Sequence, residues 1–190
     1  MTTDLEIALA PAATFERLAN ARASGRAGAL AGRVLLALAI IGTSVAAHAA
    51  RRVSFELVGG IGLSWSFALL VQLLAAAAII VPARARTVTA LRAFELWFQA
   101  HVPWSLWFLL PAIYFSLAGR RVTETPLAVG AVVPMAWTLV LLHTFAARVL
   151  RSRHPAAIVL LHQGIVWGLT LCYITYAIGG WDRVLEEVGL

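Results

Sequence analysis

The sequence predicts an all-α fold: a polytopic membrane helix bundle with five transmembrane helices, a cytoplasmic N-terminus, and a short amphipathic interfacial helix before the first span. Three observations carry that expectation. Hydrophobic residues make up 61% of the 190-residue chain and its mean hydropathy is +0.85, more apolar surface than a water-soluble core can use. Apolar runs of membrane-spanning length alternate with arginine-bearing turns; all 15 basic residues are arginine. The apolar stretch 95–117 opens with Glu95, Gln99 and His101 and contains Pro103 and Pro111. Polar side chains at that depth need neighbouring helices to shield them, so a bundle with a polar interior is expected and a lone anchor is not.

The chain divides into a cytoplasmic segment 1–33, a transmembrane domain 34–181 and a short non-cytoplasmic tail 182–190. In the first segment Pro11 suits the opening turn of a helix over 12–23, on which Phe15, Leu18 and Ala19 share a face while Glu16, Arg17 and Arg22 point to water. Such a helix is expected at the membrane interface, with Arg17, Arg22, Arg26 and Arg33 meeting anionic lipid headgroups. The first span, 34–50, is at the ~17-residue lower limit for crossing hydrocarbon. Its Ala47-His48-Ala49 has the form of a signal-peptide cleavage site, but the apolar run starts far from Met1, which favours a retained helix. Gly42, Ala46 and Ala50 recur every four residues and make a thin edge that another backbone can approach.

In the second span, 57–81, closed by Pro82, the row Gly60, Ser64, Ala68, Gln72 and Ala76 puts Gln72 on a small-residue face. The third, 94–117, carries Pro103 and Pro111, which cannot donate to the carbonyls of Gln99 and Trp107 and so predict kinks. The fourth, 127–149, contains Pro134 and His143. The fifth, 156–179, carries His162, Gln163 and a GxxxG pair, Gly164 and Gly168, extended to Cys172; this pair is expected to form the closest helix contact. Trp181 is suited to the interface. An N-inside topology leaves Arg51, Arg52, Arg120, Arg121 and Arg183 outside and the other ten arginines inside, in line with the positive-inside bias of a multi-pass membrane protein.

That topology converts positions into depths. At ~1.5 Å per residue, His143 and His162 each lie roughly 9 Å from the inner ends of adjacent spans, and His101 and Gln72 only slightly deeper. With Glu95, Gln99 and Gln163 they form a polar intramembrane layer. Interhelical hydrogen bonding accounts for every one of these residues. Two histidines at matched depth also meet the requirement for bis-imidazole ligation of haem b or for part of a metal site, His143 and His162 foremost and His101 behind them. A proton or solute path lined by Glu95, His101 and His143 is a third reading. The sequence holds no HExxH, Walker loop, GxSxG or pair of carboxylates within a span, so no catalysis is expected of the chain itself. One cysteine excludes an intrachain disulfide, and arginines spread over every loop argue against nucleic acid as a partner.

Several short stretches also form a pattern. Pro11-Ala12-Ala13-Thr14-Phe15-Glu16-Arg17-Leu18 precedes a glycine-containing linker, Thr87-Val88-Thr89-Ala90-Leu91-Arg92 leads to His101-Val102-Pro103-Trp104, and Trp137-Thr138-Leu139-Val140-Leu141-Leu142 precedes a basic turn and last helix. Together they resemble the bacterial branch of the Yip1 family over most of the chain. The resemblance implies a five-helix bundle with a cytoplasmic N-terminus. Eukaryotic members of that family are adaptors of vesicle traffic that meet small GTPases and one another, and the family supplies no catalytic residues. The expected role is thus an interaction, scaffold or assembly subunit of a membrane complex, with membrane lipids and other membrane proteins as partners and no cofactor. The alternatives are a haem- or quinone-linked subunit of an electron-transfer complex and a small-solute or proton-coupled transporter.

Overall fold

A computed structural model describes residues 2–21, 27–50, 52–83, 88–119 and 124–177. Their regular structure is wholly helical: α1 (Thr2–Leu9), α2 (Pro11–Asn20), α3 (Ala27–Val45) running on into a π-helical turn (Ala46–Ala50), α4 (Phe55–Ala83), α5 (Ala90–Gln99), α6 (Val102–Ala118), α7 (Glu124–Gly130), α8 (Val132–Arg148) and α9 (Pro155–Ala177). Proline opens α2 and α9, where its missing N–H has no helical partner to lose. Thr89 caps α5, its hydroxyl accepting from the Arg92 N–H at 3.3 Å. Gly119 ends α6 in the left-handed conformation (φ 61°), which glycine adopts without a Cβ clash. Arg22, Arg26, Arg51, Arg84, Arg86, Thr87, Arg120, Arg121, Trp181, Arg183 and the tail 182–190 lie outside the described residues.

Three segments are long and apolar enough to cross a membrane: Ala27–His48, Phe55–Ala83 and Pro155–Cys172. They become four if α5 and α6, bent by 42° across Ala100 and His101, make one broken span. This is a membrane protein. The stretch 94–117 is therefore not a continuous helix, and its break precedes the prolines. Pro103 sits buried in the first turn of α6 and Pro111 is accommodated inside it. The stretch 127–149 is likewise divided, at Ala131. Pro134 has no N–H for the Gly130 carbonyl and its ring crowds that oxygen, so the helix restarts as α8, apolar but only 17 residues long.

The long helices close a ring in which α3 packs on α4, α4 on α9, α9 on α8, α8 on α6, and α6 back on α3. Inside it lies α5, touching α3, α4 and α8, with Ala93, Glu95, Leu96, Trp97 and Gln99 all buried. The core cluster joins Ala76 and Ile80 of α4, Leu96 and Trp97 of α5, and Leu141, Leu142 and Phe145 of α8.

The tightest seam is between α3 and α4. A Cβ on Gly42 would collide with the Val58 carbonyl, and one on Gly62 would meet the Leu38 carbonyl at 3.1 Å. Gly42 thus fills the role its spacing suggested. Gly60 does not: it is exposed, with nothing within 4 Å of its Cβ position, and Gly62 takes the contact. The Ala47-His48-Ala49 triplet belongs to the π-helical turn packed on α6, and Ala47 is fully buried, a poor arrangement for a protease site.

The N-terminal helices correct a further expectation. The apolar face of α2 meets protein: Phe15 is fully buried and stands edge-on to Phe145 at 6.0 Å between ring centres. Arg17 pairs with Glu6, Arg33 with Asp4 at 3.2 Å, and Glu16 approaches Arg148 at 3.7 Å. Two of the arginines assigned to headgroups, Arg17 and Arg33, thereby have acidic partners within the chain, the Arg17 pair at an exposed position. Nothing in the apolar pattern signalled α1, whose Ile7 is also fully buried.

Candidate functional site

The polar residues of α5 and α9 meet at the centre of the ring. Glu95 is 6% exposed, and its carboxylate accepts from the Arg92 guanidinium at 3.0 Å, one turn earlier on α5. A charge taken from water is stable only when paired, and i, i+3 spacing supplies the partner locally. One turn further on, the bend between α5 and α6 turns His101 inward, with its Nδ1 3.0 Å from the Trp97 carbonyl. From α9 His162 projects to the same place. Its Nδ1 lies 3.3 Å from the Gln163 amide nitrogen, and the Gln72 main-chain carbonyl lies against its ring.

The two imidazoles are 6.3 Å apart between ring centres. Trp97 lies 4.4 Å from His101 and 5.6 Å from His162, so an indole fills the flank of the pair. Trp104 of α6 and Trp167 of α9 stand 5.2 Å apart between ring centres. The Nε2 atoms of both histidines, the Trp97 Nε1 and the Gln99 Oε1 are buried without a hydrogen-bond partner among the described residues. Beside His162 and Trp97 a cavity of about 20 Å³ is otherwise walled by aliphatic and aromatic side chains, including Ile80, Leu142 and Phe145. It has the volume of a single water and an apolar lining.

Of the polar layer expected from depth, His101, His162 and Gln163 come together here, Glu95 and Gln99 are buried on α5, and Gln72 is half-buried with its main-chain carbonyl against His162. His143 does not join them. It is exposed on α8, whose buried residues are Thr138, Leu141, Leu142, Phe145 and Ala146. The pairing of His143 with His162 at a haem or metal is corrected: His101 is the neighbour of His162, and Trp97 packs beside both rings. No group of three or more His, Cys, Asp or Glu positioned for a metal occurs among the described residues. The helix-packing assignment of Gly164 and Gly168 is corrected as well. Both are exposed, and a Cβ on either would meet nothing within 4 Å. Buried Val159, His162, Gln163 and Val166 turn the other face of α9 to the bundle.

Compared with known proteins, the chain matches no family model, no curated protein and no solved structure. The likeness to the Yip1 family thus stands on the short motifs quoted above.

Proposed function

We propose that this chain is a five-span integral membrane protein of the Yip1-like type that acts as an interaction or assembly subunit of a membrane complex, without catalysis of its own. In this reading α3, α4, α5 with α6, α7 with α8, and α9 are the spans, the N-terminus is cytoplasmic, and the polar centre holds the bundle together. One observation carries the reading. Among the described residues, the Gly164 and Gly168 edge of α9 faces away from the protein's own core. In lipid, small residues let backbones approach closely, and an edge that no described helix packs against suits a second membrane protein.

The test is Gly168→Leu in the full chain. Monomer stability in detergent should not fall and should rise by roughly 0.5–1 kcal/mol, since the side chain enters open space and a helix-interior glycine is lost. Complexes isolated in lipid nanodiscs should lose their partner, while Gly60→Leu leaves them whole. Unchanged complex size in both variants would remove the support for α9 as the docking edge.

A second reading, an electron-transfer subunit binding haem, is favoured by the partnerless Nε2 atoms of His101 and His162. Since Trp97 packs against both rings, the scaffold reading predicts a purified protein with no Soret band before or after dithionite. A Soret band abolished by His162→Ala and retained in His143→Ala would replace the scaffold reading with this one.

A further inference from the structure

We infer that α1 and α2 form a re-entrant helical hairpin whose apex, at Leu9, Ala10 and Pro11, lies in the hydrocarbon beside α8 with Leu5 and Leu9 against lipid acyl chains. This rests on the reading of α8 as part of a span with its Arg148 end at the cytoplasmic surface.

The hairpin touches α8 at two levels. Near one end, Phe15 packs on Phe145 and Glu16 approaches Arg148. Much farther along, the Trp137 indole N–H donates to the Ala8 carbonyl at 3.2 Å. Trp137 and Arg148 are separated by about 16 Å of helix at ~1.5 Å per residue. The hairpin therefore runs lengthwise down α8, and a helix lying flat on the surface would not reach both levels.

Several polar main-chain groups of its apex are satisfied within the protein, as hydrocarbon favours. The Glu6 carbonyl accepts from the Ala10 N–H at 2.8 Å and from the Thr14 hydroxyl at 3.2 Å. The Ala10 carbonyl accepts from the Thr14 N–H at 3.1 Å, Trp137 serves Ala8, and Pro11 has no N–H to satisfy. The charged side chains of the hairpin, Asp4, Glu6, Glu16 and Arg17, all have ionic partners. Meanwhile Leu5 and Leu9 are 61% and 72% exposed, and Val133 and Val140 on α8 are exposed apolar residues as well. The apolar face that would bind an interface, carrying Ile7 and Phe15, is used up inside the protein.

Nitroxide labels at Leu9→Cys, Val140→Cys and Asn20→Cys, each in the full chain with Cys172→Ser, test this in proteoliposomes by collision with oxygen and with a water-soluble nickel chelate. Position 9 should match position 140, open to oxygen and closed to nickel, with position 20 the reverse. Nickel access at 9 but not at 140 would place the hairpin at the surface and overturn the inference while leaving α8 in the membrane. Nickel access at both would remove α8 as a span, and the inference with it.

Discussion

Trp97→Ala should destabilise the detergent-solubilised protein by about 3–5 kcal/mol, the range for deleting a fully packed aromatic side chain. Trp97 is 3% exposed, belongs to the core cluster, and touches His101, His162 and Phe98. Its removal would also enlarge the cavity beside His162 and strip both imidazoles of their neighbour. Little of this loss depends on water, because the contacts broken are dispersion contacts in a close-packed interior. His143→Ala is the matched control. With that ring exposed on α8, the change should stay within about 0.5 kcal/mol. Thermal or denaturant unfolding of both variants decides the matter, and equal losses would mean that α8 is rotated from the orientation described.

Gly42→Ala should also be costly, by about 1–3 kcal/mol, because the added methyl group collides with the backbone carbonyl of Val58 and the two helices must separate. Backbone cannot change rotamer to make room. At Gly60, on the same helix as Val58 but facing outward, alanine should instead stabilise by roughly 0.5–1 kcal/mol by limiting the unfolded chain. Opposite signs for two glycine-to-alanine changes near one seam are difficult to obtain unless the α3–α4 contact runs through Gly42 and Gly62. Unfolding midpoints at constant slope supply the comparison.

These contrasts mark where the sequence is legible. Position along each helix could be read from it, because distance along an apolar run becomes distance along a helix. The crowding of Glu95, Gln99 and His101 pointed correctly to a shielded interior. Azimuth was harder. In α8 apolar residues surround the helix, so no polar stripe says which way His143 faces; the heptad-like set Thr138, Leu141, Leu142, Phe145 and Val149 shows it only once the fold is known. The row from Gly60 to Ala76 fails for a geometric reason. Steps of four residues advance about 40° beyond a full turn, so a row of five such positions winds around the helix. Ala68 and Ala76 are buried, while Gly60 and Ser64 face out. On α9 a GxxxG reports a smooth edge and not its occupant, and the bundle uses the face opposite. The bend after α5 falls between Gln99 and Pro103, where the missing Pro103 N–H predicts it, whereas Pro111 sits inside α6 without breaking it.

The central claim is that His101 and His162 form the buried pair within the ring of helices. Its most direct test is magic-angle-spinning NMR of the protein in bilayers with ¹³C,¹⁵N-labelled histidine, the rings assigned by single replacements of the five histidines. Rings centred 6.3 Å apart should give a cross-peak between His101 and His162 that Trp97→Phe preserves, and no cross-peak should link His143 to either. A correlation between His143 and His162, with His101 isolated, would contradict the arrangement of α5, α8 and α9 on which the account rests.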